Sequence, residues 1–301
     1  MRHSLRSRRR FATKFPLNIA AGDSWLFRSY DDLAVDLEDW ATRLPPISAV
    51  CGIPRSGIVV AGQLATLMGI PAISLDSLKC GVRSWRPPTS KPLPAKRGMV
   101  LVVDDTCWSG GTIRQVREWL GDSASGCLFG SVYAQGGKEI DGLDFHGFDL
   151  TSINHCFAWN YLRDMHSGST MTDMDGVLCA DWTGKDDHEE GGEYASFLLN
   201  ASPRVIPVYP VLGVVTGRVE KNREATEDWL ARNGVRHHGL HMPFRDNDSR
   251  KGRCVGTEKA KIYAVEQRAT LFVESDPRQS QVIFEKSRKP VLCTATMEIL
   301  Q

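Results

Sequence analysis

The sequence predicts an α/β protein built as two doubly wound domains. Three observations carry this. Between residues 29 and 133 short apolar runs of strand type alternate with helical runs, the pattern that builds a parallel sheet. The alternation restarts after residue 166. A length of 301 residues gives each half enough chain to bury a core of its own. The predicted division is 1–165 and 166–301.

The elements follow in order. From Ser29 to Leu44 the apolar residues Leu33, Val35, Leu37, Trp40 and Leu44 suggest an amphipathic helix, which Pro45 and Pro46 stop. Ile47 to Cys51 reads as a strand, Gly52 to Gly57 as a turn, and Ile58 to Met68 as a helix ending at Gly69. A short strand at Ala72 to Leu75 precedes Lys79 to Arg97, a stretch with six basic residues and little periodicity that reads as a loop. Met99 to Val103 is a buried-type strand, Gly110 to Leu120 a helix and Cys127 to Tyr133 a strand. Gly136 to Met165 has no clear period and reads as a linking region, with Trp159 and Tyr161 packed on one domain. In the second half strands are expected at Thr170 to Thr172, Leu212 to Thr216 and Thr270 to Glu274, with a polar loop around Lys185 to Gly192.

Composition narrows the class. Hydrophobic residues are 42% and charged residues 24%, and no apolar run approaches the roughly 18 residues of a membrane span. The eight cysteines form no CxxC pair, so they read as reduced thiols of a cytoplasmic protein. A net charge of +1 gives no global field for nucleic acid, which is not the expected partner. The arginines at 2, 6, 8, 9 and 10 mark a flexible basic tail over residues 1–20, a composition also seen in transit peptides.

Two phosphate-handling patterns stand out. In VLVVDDTCWSGGT (100–112), Asp104 and Asp105 end an apolar strand and a Ser-Gly-Gly-Thr turn opens a helix. Backbone N–H groups of 108–112, including Gly110 and Gly111, with the hydroxyls of Ser109 and Thr112, can wrap a phosphate where the helix dipole favours negative charge. The carboxylates before that cradle can accept from ribose hydroxyls. In TDMDGVL (172–178), two aspartates one residue apart precede a glycine that permits a tight turn. One carboxylate can attack phosphorus while the other protonates the leaving oxygen.

The first pattern resembles the PRPP-binding motif of type I phosphoribosyltransferases. CGIPRSG (51–57) looks like that family's pyrophosphate loop, and Lys79 to Arg97 falls where the family has its hood. The resemblance implies a Rossmann-like fold and PRPP binding by Asp104, Asp105, Thr106, Ser109, Gly110, Gly111, Thr112, Arg55 and Ser56. Trp108 stands where purine-type members usually carry an aspartate, which points to an orotate-like member and leaves the small-molecule acceptor open.

The second pattern resembles motif I of the haloacid dehalogenase superfamily. VLGVVTGR supplies Thr216 for motif II, Lys259 or Lys261 suits motif III, and LFVESD offers Glu274 and Asp276 for motif IV. The resemblance implies Asp173 as nucleophile, Asp175 as general acid and base, Thr216 and Lys259 as catalytic partners, and Mg²⁺ held among Asp173, Asp175, Glu274 and Asp276. Only about 30 residues separate motifs I and II, so the cap is small or absent; Asp186, Asp187, His188, Glu189 and Glu190 in this insertion read as a solvated acidic loop.

The whole chain is similar to fusions of an orotate-like phosphoribosyltransferase with such a phosphatase. That implies transfer of phosphoribose from PRPP to an acceptor with release of pyrophosphate, followed by hydrolysis of a nucleotide-like phosphate monoester, the product losing its 5-phosphate. The resemblance also admits a homodimer. A second reading keeps only the phosphatase catalytic, regulated by a PRPP- or nucleotide-binding first domain. A third has the basic tail guide nucleic-acid ends into the phosphatase cleft.

Overall fold

A computed structural model describes residues 25–81, 98–135, 140–150, 153–184 and 192–301. The basic tail, most of the Lys79 to Arg97 stretch and the acidic residues 186–190 lie outside the described residues. The described residues form two compact units, one within 30–154 and the other of 25–29 with 155–301.

The first described strand, β1 (Trp25–Arg28), belongs to the second unit, so the first unit is taken from α1 (Tyr30–Arg43). Asp31 and Asp32 sit in the first turn of α1 and Arg43 in the last, matching the helix dipole. Its buried face is Leu33, Asp36, Leu37 and Trp40. Val35, expected on that face, is 65% exposed, because it falls between the i, i+3 and i+4, i+7 positions. Asp36 is buried but accepts from the Tyr133 hydroxyl at 2.5 Å, which offsets its desolvation.

Next come β2 (Ile47–Gly52), α2 (Gly57–Met68), β3 (Ala72–Ile73), α3 (Leu75–Lys79), β4 (Met99–Cys107), α4 (Gly111–Leu120), β5 (Cys127–Ala134) and β6 (Phe145–Asp149). Gly69 ends α2 in the left-handed conformation, its N–H donating to the carbonyls of Ala65 and Thr66. The sheet has the order β3-β2-β4-β5-β6 with every pair parallel. Leu101, Val102 and Val103 are fully buried, as a central parallel strand requires.

Two expectations are corrected here. The central strand does not stop at Val103; β5 continues the ladder through Asp104, Thr106 and Cys107, so the acidic pair lies inside β4. The linking region is not without structure, since it contributes β6, paired to β5 through Phe145, His146, Phe148 and Asp149.

In the second unit β1 forms a two-stranded sheet with β7 (Asn154–Phe157). The main sheet collects β8 (Thr170–Thr172), β9 (Gly213–Val215), β10 (Leu240–His241), β11 (Leu271–Glu274), β12 (Val291–Cys293) and β13 (Glu298–Leu300) in the order β10-β9-β8-β11-β12-β13. Only β13 runs antiparallel. The helices are α5 (Gly192–Asn200), α6 (Arg223–Arg232), α7 (Asn247–Arg250), α8 (Val255–Val265) and α9 (Pro277–Ser287). Trp25 enters this unit's core beside Met174, Val214 and Leu271, and Tyr161 packs against the same cluster. Its indole donates to the Thr270 carbonyl, and its main chain exchanges two hydrogen bonds with the Gln301 side chain. Among the described residues no helix is long and apolar enough to cross a membrane.

Candidate functional site

In each unit the chain leaves its first main-sheet strand, builds to one side, then crosses to the other. This makes a topological switch point, where open α/β sheets hold ligands at the carboxyl ends of the strands. In the first unit the switch lies between β2 and β4; in the second, between β8 and β11. Both sequence patterns sit there.

At the first switch Gly52 pairs with Val103, which brings the turn after β2 beside Asp104 and Asp105. The approach is close: a Cβ on Gly57 would fall 2.5 Å from the Val103 carbonyl oxygen and 3.3 Å from Asp104 Oδ1. The Pro54–Arg55 peptide is cis, and Arg55 is exposed while Ser56 is half-buried. Asp104 Oδ1 accepts from the Asp105 N–H at 2.9 Å, and Asp105 Oδ1 from the Thr106 N–H at 2.8 Å. Burial, then the Asp105 carboxylate alongside, push the Asp104 carboxyl up to about 8. Gly110 turns the chain into α4 with φ of 75°, and a Cβ there would lie 2.3 Å from the Asp141 carbonyl oxygen, so only glycine fits. Ser109 and Thr112 are exposed at that helix start, and Trp108 is 47% exposed next to them. The PRPP residues named from the sequence are therefore brought to one end of β2 and β4. The hood residues Arg83 and Lys91 lie outside the described residues.

At the second switch Asp173 follows β8, its N–H donating to Val273 of β11 at 2.8 Å. Lys259, on α8, is 1% exposed and places its ammonium 2.8 Å from Asp173 Oδ2 and 2.7 Å from Glu274 Oε2. Burial pulls the Lys259 ammonium down, but Asp173 and Glu274 outweigh it and hold it above its usual value. Lys259 thus stays charged. Burial, then Glu274, raise Asp173 well above the ordinary carboxylate range, against the pull of Lys259. Lys261 points elsewhere, exposed and paired with Glu258.

Asp173, Asp175, Lys259 and Asp276 line a cleft of about 520 Å³. Thr216, just past β9, is fully buried and its Oγ1 accepts from the Arg218 N–H at 3.2 Å. Arg218 was not singled out in the sequence, although it is the last letter of VLGVVTGR. It is 2% exposed and grips Asp175 through Nη2 to Oδ1 at 2.6 Å and Nε to Oδ2 at 3.0 Å, a two-pronged pair that fixes the carboxylate plane. Gly176 permits this turn: its φ is +80°, and a Cβ there would lie 2.2 Å from Ser275 Oγ.

The donor set can be tested against Mg²⁺. Among the described residues no group of three or more His, Cys, Asp and Glu side chains is placed so that it could hold a metal ion. Glu274 has Oε2 on Lys259 and Oε1 on the N–H groups of Ser275 and Asp276. Both Asp175 oxygens face Arg218. Asp173 Oδ1, by contrast, is buried without a partner, and Asp276 lines the cleft. Mg²⁺ is commonly held by one or two carboxylates, water and a substrate phosphate, so Asp173 with Asp276 fits it.

No family model matches the chain, and no curated protein does. Among solved structures its N-terminal part is similar to the Helicobacter pylori xanthine-guanine-hypoxanthine phosphoribosyltransferase, at 18% identity and TM-score 0.32 over 45% of this chain and 93% of that one. It is similar to the purine phosphoribosyltransferase from Pyrococcus horikoshii at 19% identity and TM-score 0.31, over 46% of this chain and 95% of that one. A third match is a hypothetical protein from Neisseria gonorrhoeae with bound ppGpp, at 19% identity and TM-score 0.30, over 45% and 89%.

Proposed function

We propose that the chain is a bifunctional enzyme that transfers phosphoribose from PRPP in its first unit and hydrolyses a phosphate monoester in its second. The observation that carries this is that both sheets place their acidic motif at the switch point. In the first unit the ribose hydroxyls donate to Asp104 and Asp105, and the 5-phosphate takes the N–H groups at the start of α4. Arg55 and the turn after β2 receive the pyrophosphate as its bond to C1 breaks and the acceptor's bond to C1 forms.

In the second unit Asp173 attacks phosphorus. The ester P–O bond breaks, and the leaving oxygen takes a proton from Asp175. The same carboxylate then takes a proton from the water that hydrolyses the aspartyl phosphate. Lys259 holds Asp173 in place and Arg218 orients Asp175. Mg²⁺, held by Asp173 and Asp276, would neutralise charge on the phosphoryl group. The product of the first unit, a ribosylated compound with its 5-phosphate, is the fitting substrate of the second.

The test follows pyrophosphate and inorganic phosphate separately, with PRPP, Mg²⁺ and a panel of bases. Phosphate release from a nucleotide should persist in Asp105→Asn and fall at least about 1,000-fold in Asp173→Asn. Unchanged phosphate release in Asp173→Asn would falsify the second assignment. PRPP binding by calorimetry with no pyrophosphate from any base would make the first unit a sensor.

A further inference from the structure

The cleft over Asp173 has two chemically different walls. One is charged and mixed in sign, with Arg218, Arg250 and Lys259 beside Asp173, Asp175, Asp181 and Asp276. The other is aromatic, from Trp182 and Tyr194, which the motif reading passed over. Their ring centres lie 5.4 Å apart at 66°, and both pack on Phe197, Trp182 at 5.2 Å and Tyr194 at 6.0 Å. A phosphoryl group makes no use of such a wall. A flat π system does, because ring faces and edges attract one another by their quadrupoles and shed apolar surface together.

Trp182 is also held in place. A Cβ on Gly184 would fall 2.0 Å from indole Cζ2 and 2.5 Å from Cε2, so the chain closes on the indole and glycine alone leaves room. The indole N–H is buried and meets no acceptor among the described residues, although buried donors nearly always have one. A ligand carrying ring nitrogens or carbonyls would supply it. At about 520 Å³ the cleft lies within the roughly 300–1,000 Å³ of small-ligand sites, which leaves space for more than a sugar phosphate.

We infer that Trp182 and Tyr194 are specificity-determining residues that take a planar nitrogen heterocycle, so that the ester hydrolysed is a nucleoside monophosphate and not a bare sugar phosphate. The inference rests on the reading of Asp173 as nucleophile. The phosphoryl group is common to every phosphate ester, and the base ring is what separates one ester from another.

The full chain, with Mg²⁺, is assayed on uridine 5′-monophosphate and on ribose 5-phosphate. The expected result is a preference for the nucleotide in kcat/KM that Trp182→Ala cuts about 10- to 100-fold, mainly through KM, and that Trp182→Phe partly restores. Gly184→Ala, which displaces the indole, should move the preference the same way. Equal kcat/KM for the two esters, or a preference that survives Trp182→Ala, overturns the inference and leaves hydrolysis at Asp173 standing. Hydrolysis that persists in Asp173→Asn removes the parent reading instead. Calorimetry then decides the inference by itself: uridine 5′-monophosphate should bind Asp173→Asn and lose that binding in the double variant with Trp182→Ala. Binding that is absent, or indifferent to Trp182, overturns it.

Discussion

Lys259 is the residue on which the second site turns. It is the cation between two buried carboxylates, and removing it leaves Asp173 and Glu274 facing each other without a counter-charge. Breaking such a buried cluster costs about 3–5 kcal/mol. Lys259→Met should therefore lower the urea midpoint of the second unit as well as abolish phosphate release, while Lys261→Met, at an exposed pair, should do neither. At the first site the sign of the pH dependence is set by Asp104. Its folded value, about 8, lies above the ordinary 3.8, so between those values the folded protein keeps a proton that the unfolded chain releases. Stability consequently declines as pH rises toward about 8. Asp104→Asn removes the ionisable group, so its Tm advantage over the parent should widen from about pH 5 to about pH 9; a gap that is flat or that narrows would contradict the burial argument. Both motifs were legible from residue types in a row. The preference for Lys259 over Lys261 rested only on where the helix was expected to begin, whereas the contact with Asp173 depends on which helix face meets the sheet.

Among the elements, α9 shows how one carboxylate serves two ends. Asp276 caps the helix, its Oδ1 accepting from the N–H groups of Arg278 and Gln279, with Pro277 opening the first turn. It also lines the cleft. Asp276→Ala should cost roughly 1 kcal/mol of stability as the cap is lost. Asp276→Ser keeps a capping oxygen and should recover most of that stability without recovering phosphate release, which denaturation and turnover measured side by side would separate. Elements were legible where apolar periodicity was strong: β8 and α2 fall within a residue of expectation. β6 escaped notice because its sequence, FHGFD, alternates too little over too short a run. The extra length of β4 escaped as well, since polar residues there are carried by pairing with β5 and not by their own propensity.

At the scale of the whole molecule, two α/β sheets with the same switch-point logic follow one another in a single chain. The sequence signalled this through the restart of the strand-helix pattern. It did not signal that Trp25 to Arg28 serve the second unit, because contacts that span most of the chain leave no local trace. Trp25 is 2% exposed among residues of the second unit, and deleting a buried tryptophan costs about 3–5 kcal/mol. Trp25→Ala should therefore lower the thermal midpoint of phosphate release, with PRPP binding retained beyond the temperature at which phosphate release is lost.

The same threading orders events at the ribosome. Residues 30–154 leave the tunnel as an uninterrupted stretch and can close their sheet while synthesis continues, since domains fold as units from the N-terminal side. Trp25 has left the tunnel before any of them, yet its hydrogen-bond partners Thr270 and Gln301 follow 245 and 276 residues later. β1 can pair with β7 once Asn154–Phe157 have emerged, but the Trp25 indole waits for Thr270, and the second unit's core closes only after β11 is out.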